Sequence, residues 1–229
     1  MLCKSLNRFT SLCCPAEKDG VASRPRQRRN KEARPAELMA AALDLFVERG
    51  FAATRLDDVA ARAGVTKGTL YLYFDSKEAL FKAVVETSMV PLIDEALREL
   101  EEHKGSMADL LRDMMIRWWR DLGATRLGGI PKLIVAESGN FPEVAAFYHE
   151  AVIQRGERLV KGILTAGVER GEFRPVDVEA TYHVVIAPVL MLMIWTHSFA
   201  ICGQGVDPDR YLAAHVDLLL NGLRKPTEK

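Results

Sequence analysis

The sequence predicts an all-α protein with a small N-terminal helical domain and a larger C-terminal one. Apolar residues recur at helical spacing along most of the chain, whereas the strict alternation typical of half-buried strands is scarce. Glycines mark most of the breaks between these segments. At 229 residues, the chain is long enough to bury a full core in one or two domains.

Charge is divided unevenly, although the formal net charge is zero. Residues 1 to 82 carry 15 Lys and Arg against 10 Asp and Glu, whereas residues 83 to 229 carry 16 against 21. This asymmetry predicts a nucleic-acid-facing end and a separate body. Residues 1 to 33 lack a regular apolar pattern and are rich in arginine, which predicts a disordered basic arm. The arm either follows DNA phosphates or a minor groove, or is a solvated tail.

Cysteine spacing indicates neither a zinc site nor a disulfide framework. Cys3, Cys13 and Cys14 lie in the basic arm, and Cys202 lies in a distant apolar run. A redox role for Cys13 and Cys14 stays open as an alternative. The N-terminus lacks a continuous apolar core before a small-residue cleavage site, so no signal peptide is predicted and the expected compartment is the cytoplasm.

A first helix is expected from Pro35, which suits an N-terminal turn, to Gly50, which suits a stop. Two short helices are predicted after it in the sequence. The first carries one apolar stripe and ends at Gly64, and the second is capped by Thr66. Two short helices joined by a tight glycine turn form a helix-turn-helix. The stripe of the first short helix consists of Leu56, Val59, Ala60 and Ala63.

The second short helix, predicted from Lys67 to Tyr73, has an outward face that suits a DNA groove. Leu70 and Phe74 lie one turn apart and are expected to pack inward, which leaves Gly68 and Leu72 on the opposite side. Glycine allows close backbone approach, lysine supplies charge, and hydroxyls bond phosphate oxygens or base edges. An ordinary amphipathic hairpin with surface aromatics would satisfy the spacing alone.

The residue string from Gly50 to Leu80 is more specific than its spacing. It reads G-F-x-A-T and then V-A-x-x-A-G-V-T-K-G-T-L-Y-x-Y-F-x-S-K-E-x-L. This string closely resembles the signature of the tetracycline-repressor (TetR/AcrR) family of bacterial transcription regulators. Leu72 departs from it, since members often carry Tyr, His or Trp there, and leucine can contact a thymine methyl but cannot hydrogen-bond. The DNA-contacting residues that the resemblance and the residue types indicate are Thr54, Arg55, Thr66, Lys67, Gly68, Thr69, Tyr71, Leu72, Tyr73 and Lys77.

A long helix from Lys77 to about Glu102, bent at Pro91, is expected to connect the motif to the body and to act as a lever. The predicted domains are therefore the arm at 1–33, the DNA-binding domain at 34–81 and the body at 82–225. Body helices are expected at about 106 to 122, 128 to 138, 141 to 170, 177 to 201 and 208 to 223.

The stretch from Val184 to Cys202 has no charged residue and approaches the length of a membrane span. Pro188 and polar residues interrupt it, and no Lys/Arg cluster flanks it, so a buried helix is preferred. Together with the last helix it offers more apolar surface than one domain face should expose, which indicates a partner. The family resemblance implies a homodimer through the two C-terminal helices.

Sequence motifs of enzymes are not found. The histidines match neither H-E-x-x-H nor a zinc spacing, and neither G-x-G-x-x-G after a strand nor G-x-S-x-G occurs. No catalytic residue, metal or cofactor is therefore predicted. Large soft side chains in the body suit a pocket for an apolar ligand, although plain core packing would also explain them. The candidate pocket residues are Met114, Met115, Trp118, Phe141, Tyr148, Met191 and Trp195.

These observations predict a ligand-responsive transcriptional regulator, most simply a repressor. It is expected to bind a near-palindromic operator in double-stranded DNA as a homodimer and to be released by a small apolar or amphipathic effector. Two alternatives remain at this stage: a membrane-surface helical protein with a basic arm, and a helical enzyme acting on an apolar substrate.

Overall fold

The computed structural model describes residues 33–199 and 205–225, and within these ranges it confirms the all-α prediction. One isolated antiparallel bridge, Phe173 with Arg224, is the only extended pairing among the described residues. All four cysteines and, apart from Ala33, the predicted basic arm lie outside them. The helices are α1 (Arg34–Arg49), α2 (Leu56–Arg62), α3 (Lys67–Tyr71), α4 (Lys77–Ser88), α5 (Val90–Glu102), α6 (Met107–Trp118), α7 (Gly129–Glu137), α8 (Pro142–Tyr148), α9 (Gln154–Glu169), α10 (Val178–Phe199) and α11 (Pro208–Leu223).

The first helix forms as predicted. Proline occupies its first turn, and Gly50 ends it at φ +87°, a conformation that favours glycine. Its buried face includes Phe46, whose ring lies 5.3 Å from that of Phe51 and 5.9 Å from that of Phe81 on α4. An aromatic cluster thus joins α1, the turn after it and α4, and α1 also contacts α2.

The prediction of one continuous helix from Lys77 to Glu102 is wrong, since the structure divides this segment into α4 and α5. Met89 separates them with φ −105°. Pro91 stands in the first turn of α5, where its missing N–H costs nothing, whereas within a continuous helix it would remove a hydrogen bond and clash with the preceding turn. The bend therefore falls just before the proline.

Two body segments predicted as plain α-helix contain π-helical turns. Trp119–Gly123 continues α6, and His149–Ile153 joins α8 to α9, so the helix expected at 141 to 170 consists of three pieces. A short 3-10 helix, Arg126–Gly128, leads into α7. Apolar periodicity does not distinguish α from π turns over so few residues, so the sequence could not indicate these widenings.

The last two described helices pack along each other. The Tyr211 hydroxyl of α11 donates to the Pro188 carbonyl of α10 at 3.1 Å, and a ring nitrogen of His215 lies 3.1 Å from the Val185 carbonyl. Burial lowers the pKa of His215, which favours its neutral form. These bonds fix the two helices as one unit, with one face in the core and the other outside.

Candidate nucleic-acid interface

The predicted apolar stripe holds the helix-turn-helix together. Val59 and Ala60 are buried, and Leu56 and Ala63 pack against the same core. Gly64 follows at φ +66°, a left-handed conformation that side-chain-bearing residues rarely adopt. The glycine turn between α2 and α3 is thereby confirmed.

Helix α3 starts at the predicted cap and is anchored from one side. The Thr66 hydroxyl accepts a hydrogen bond from the Thr69 N–H at 3.2 Å, and the two threonine hydroxyl oxygens lie 2.9 Å apart. Leu70 is fully buried, and Phe74 packs partly buried on the same core. The anchored side is thus the predicted one, and the opposite side faces outward.

The outward side of α3 exposes large apolar and aromatic groups. Leu72 is 82% exposed, Tyr71 is 46% exposed and Tyr73 is 38% exposed. Regular helix ends at Tyr71, whereas the prediction extended it to Tyr73, because a turn takes over in which the Tyr73 N–H donates to the Leu70 carbonyl. Tyr71, Leu72 and Tyr73 nevertheless all stay exposed at the end of α3.

Gly68 lies on the same outward side, and packing does not require a glycine there. A Cβ atom at Gly68 would meet only the Thr66 hydroxyl oxygen, at 3.9 Å, and the residue is exposed. The absence of a side chain instead leaves the backbone open to close approach by a large ligand such as a DNA strand.

Lys67 carries the positive charge of this face, but an acidic neighbour binds it. Its ammonium lies 2.9 Å from a carboxylate oxygen of Asp57 on α2, and both side chains are more than half exposed. The hydrogen bond to Asp57 raises the pKa of Lys67. The lysine is therefore reliably protonated, and a DNA phosphate would compete with Asp57 for it.

Two predicted contacts at the start of α2 differ in accessibility. Thr54 is only 2% exposed, and its hydroxyl donates to the Gly50 carbonyl at 2.7 Å and the Leu45 carbonyl at 3.2 Å. Its side chain therefore closes the turn after α1, which corrects the expectation that it faces DNA. Arg55 is exposed at the N-terminal boundary of α2 and remains a candidate phosphate contact.

Lys77 also lies away from the outward face of α3. Its ammonium donates to the Phe51 carbonyl at 2.7 Å and the Ala52 carbonyl at 3.3 Å, and burial lowers its pKa. The predicted cap of α4 is confirmed, since the Ser76 hydroxyl accepts the Ala79 N–H at 3.0 Å. The structure thus assigns the Lys77 ammonium to two backbone carbonyls.

The seven candidate pocket residues differ in burial. Met114 and Met115 of α6 and Tyr148 of α8 are buried, and Trp118 packs partly buried against the same core. Burial and the nearby Tyr182 raise the pKa of Tyr148, so its hydroxyl is a neutral donor. These four residues remain candidates for an internal pocket.

The other three pocket candidates have different surroundings, and a role in a pocket stays a prediction for them. The Phe141 ring is 4.8 Å from the Phe51 ring, at the junction with the N-terminal domain. Met191 and Trp195 are 53% and 41% exposed on the outer face of α10. Helical spacing could not show which side of α10 is exposed, because apolar residues lie on most sides of this helix.

Two surface grooves stand out in the described part of the body, and neither contains any of the seven residues. One runs along α9 and is lined mainly by Arg, Lys and Glu side chains. The other lies beside the C-terminal end of α5 and is also charged. Among the described residues, no group of three His, Cys, Asp or Glu side chains is arranged to hold a metal ion.

Helix α10 is long and apolar enough to cross a membrane by length and composition, but its core-facing residues contact α7 and α9 in the body. The expectation of a buried helix holds for one face only. Large apolar side chains on the other face are exposed: Val184, Met191, Trp195 and Phe199.

Glu137 is a residue of interest that the sequence did not indicate. It ends α7 in the body, and its carboxylate accepts the backbone N–H of Ala52 at 3.0 Å, across 85 positions of sequence. A glutamate at a helix end has many possible roles, and no sequence motif predicts a contact between Glu137 and Ala52.

Known families match both parts of the chain. Residues 38–84 match the family described as "Bacterial regulatory proteins, tetR family", and residues 101–201 match "Tetracyclin repressor-like, C-terminal domain". The first match spans the aromatic cluster and the helix-turn-helix, and the second spans most of the body.

Similar proteins with assigned names are also transcriptional regulators. The HTH-type transcriptional regulator YfiR of Bacillus subtilis is 31% identical over 160 residues, covering 66% of this chain and 74% of YfiR. The HTH-type transcriptional repressor KstR2 of Rhodococcus jostii is 27% identical over 218 residues, covering 86% of this chain and 94% of KstR2. The crystal structure of FadR from Bacillus subtilis in complex with stearoyl-CoA shares the fold, with a TM-score of 0.70 and 22% identity over 82% of this chain and 98% of that one.

These relatives give no support to the membrane-surface or the enzyme alternative. Sequence matches across both domains, a shared fold and an outward-facing α3 on a helix-turn-helix agree with one another. The chain belongs to the tetR family of bacterial regulatory proteins and is a DNA-binding transcriptional regulator.

Proposed function

We propose that the protein is a homodimeric repressor that reads a near-palindromic operator through α3 and is released by a small apolar or amphipathic effector. The observation that carries this proposal is the outward face of α3, where Leu72 is 82% exposed while Leu70 on the opposite side is fully buried. A leucine so exposed, beside hydroxyls, a lysine and a glycine, suits the mixed chemistry of a major groove.

The proposed contacts divide into two kinds. Thr69, Tyr71, Leu72 and Tyr73 face outward or lie at the edge of α3, and we assign base-edge and sugar contacts to them. Arg55 and Lys67 supply phosphate contacts, with Gly68 allowing the close approach. Thr66 acts mainly as the cap that orients the helix.

The proposed dimer forms through α10 and α11. The outer face of α10 is a stripe of large apolar side chains, and Leu218 of α11 is 74% exposed. A second copy related by a twofold axis would cover both and would present two α3 helices to one operator. Two half-sites separated by about 34 to 36 Å, one helical turn of DNA, would then be read together.

We assign the effector site to four buried or half-buried core residues: Met114, Met115, Trp118 and Tyr148. Trp118 and Tyr148 each directly precede a π-helical turn. Such turns are frequent at functional sites, and methionines repack easily, so this part of the core is suited to open for a ligand. FadR, the structural neighbour solved with stearoyl-CoA, supports an apolar chain as a ligand to try first.

Release follows from linkage, since an effector weakens DNA binding only if it prefers the conformation whose α3 helices are wrongly spaced. A coupling of about 1 to 3 kcal/mol corresponds to a change in DNA affinity of roughly 5-fold to 150-fold. We further propose a cytoplasmic location and the domain boundaries 34–81 and 82–225.

A mobility-shift assay on the DNA around the gene for this protein tests the proposal, repeated with fatty acids, acyl-CoA esters and sterols. We expect a specific complex that at least one of these compounds dissociates. Trp118→Ala should retain DNA binding and lose most of the response, whereas Ile116→Ala, an exposed neighbour on α6, should respond normally. A protein without sequence preference for any of this DNA would contradict the proposal.

A further inference from the structure

The peptide groups around Ala52, in the turn between α1 and α2, are held from two sides. The Ala52 N–H donates to a Glu137 carboxylate oxygen at 3.0 Å. The carbonyls of Phe51 and Ala52 accept from the Lys77 ammonium at 2.7 and 3.3 Å. The Ala52 N–H thus binds α7 in the body, and the two carbonyls bind α4. The turn between α1 and α2 is therefore held to two other helices.

Aromatic contacts reinforce this junction. The Phe51 ring is fully buried and lies 4.8 Å, edge to face, from the ring of Phe141, the residue before α8. The Lys77 ammonium stands 4.4 Å from the Phe51 ring centroid and 5.4 Å from that of Phe141. A cation partly removed from water gains from both ring faces. Phe141 therefore ties the body to the same turn as Glu137.

Backbone geometry at Gly50 permits the carboxylate contact. Gly50 has φ +87°, and a Cβ atom there would lie 3.2 Å from a Glu137 carboxylate oxygen. A larger residue would be strained and would press against the carboxylate. Glycine at this position thus both ends α1 and leaves room for Glu137.

A second link between the two domains is weaker. Arg126 lies within 3.2 Å of Asp44 and 3.4 Å of Glu48 on α1, but its side chain is 55% exposed. Exposed ion pairs contribute little, because water competes for both charges. The turn at Ala52, with its buried ring and partly desolvated ammonium, is the firmer attachment.

We infer that Glu137 and Lys77 are positioning residues: Lys77 holds the Ala52 turn to α4 within the DNA-binding domain, and Glu137 fixes that turn to the body. Motion of α7 and α8 then reaches α3 by this route as well as through α4. This inference rests on the proposed function for its consequence, since the fixed geometry sets the spacing of two α3 helices. It also assigns Lys77 a role other than a phosphate contact.

Amide hydrogen exchange at Ala52, measured by NMR on the full-length protein without DNA, tests the Glu137 contact. Glu137→Ala should accelerate exchange there by about tenfold, as expected when one hydrogen bond to a charged acceptor is removed. Glu137→Gln keeps an acceptor oxygen and should accelerate it less. Glu143→Ala, an exposed glutamate on α8, is the matched control and should change nothing. Unchanged exchange at Ala52 in Glu137→Ala would overturn the inference.

Salt dependence of DNA binding tests Lys77. If Lys77 bound a DNA phosphate, its replacement would lower the slope of log affinity against log salt by about 0.9 for each subunit. Lys77→Met should instead keep the wild-type slope, weaken operator binding several-fold and accelerate exchange at Ala52. A reduced slope with unchanged exchange would overturn the positioning role. Failure of the wild-type protein to bind any operator would contradict the proposed function but would leave the exchange results valid.

Discussion

The outer faces of α3 and α10 both expose large apolar side chains opposite a buried row, yet their chemistry differs. On α3, Leu72 and Tyr71 stand beside Lys67 and a threonine hydroxyl. On α10, the exposed stripe from Val184 to Phe199 contains no Asp, Glu, Lys or Arg. An exposed apolar group therefore does not identify a partner by itself, and the charges and hydroxyls around it decide between DNA and protein.

This difference makes the two faces separable by mutation. If the proposed dimer is correct, changes on α10 should act on assembly first and on DNA binding only as a consequence, because the proposed operator has one half-site for each subunit. Changes on α3 should act on DNA binding and leave assembly intact.

The largest effect is expected for the double substitution Met191→Glu and Trp195→Glu on α10. Burying unpaired carboxylates in an apolar interface costs several kcal/mol per ion. The dissociation constant of the proposed dimer should therefore rise by a factor of about 1,000 or more. Sedimentation velocity should then show a monomer, and operator affinity should fall with it. Ile116→Glu, which also places a charge at an exposed apolar site, is the control on α6. A double variant that remains a dimer would remove this face from the interface.

The next effect is expected on α3. Thr69→Ala or Tyr73→Ala should weaken operator binding by about tenfold to 100-fold, since a good base contact contributes about 1 to 3 kcal/mol of discrimination. Binding to unrelated DNA and the dimer itself should change little. Fluorescence anisotropy with operator and scrambled duplexes measures the difference, with Thr165→Ala on α9 as the control. Equal losses on both duplexes would exclude α3 as the sequence reader.

How far the sequence predicts the molecule also differs between its two halves. Around α2 and α3, local signals agree: Gly64 takes a positive φ, Thr66 caps, and Leu70 is buried. Each signal depends on neighbours only a few residues away, so periodicity and capping rules suffice there.

In the body, the decisive contacts are between residues distant in sequence. Residue type alone groups Phe141 with Met191, although one lies at the domain junction and the other on an outer face. The role of Glu137 depends on a contact with Ala52, which only the folded chain reveals. The two π-helical turns are likewise too short to leave an apolar pattern distinct from that of an α-helix.

A sharper separation of folding from DNA binding comes from Gly68→Ala. Space around this residue is open, and alanine favours helix by up to about 1 kcal/mol over glycine, so thermal stability should stay or rise. Operator affinity should nevertheless fall by several-fold if a DNA strand approaches the backbone there. Gly156→Ala on α9 also enters open space and should alter stability alone. Full operator affinity in Gly68→Ala would show that DNA does not approach this position closely.

The smallest effect concerns the acidic neighbour of Lys67. Asp57→Asn removes a carboxylate from beside the proposed DNA contacts and frees the Lys67 ammonium, which lies 2.9 Å from that carboxylate. Because an exposed ion pair contributes only about 0 to 1 kcal/mol, DNA affinity should rise by no more than about fivefold. The gain should shrink at high salt. Asp109→Asn, which breaks an exposed pair with Arg112 on α6, should leave affinity unchanged. Weaker binding by Asp57→Asn would indicate that Asp57 itself contacts a base.

A hydroxyl-radical footprint on an operator selected from random DNA tests whether a dimer reads DNA through α3. We expect two protected segments related by twofold symmetry, with centres about 34 to 36 Å apart and two chains bound per site. Thr69→Ala should weaken the protection of both segments together. A single asymmetric segment, or protection that Thr69→Ala leaves unchanged, would contradict a dimer that reads DNA through α3.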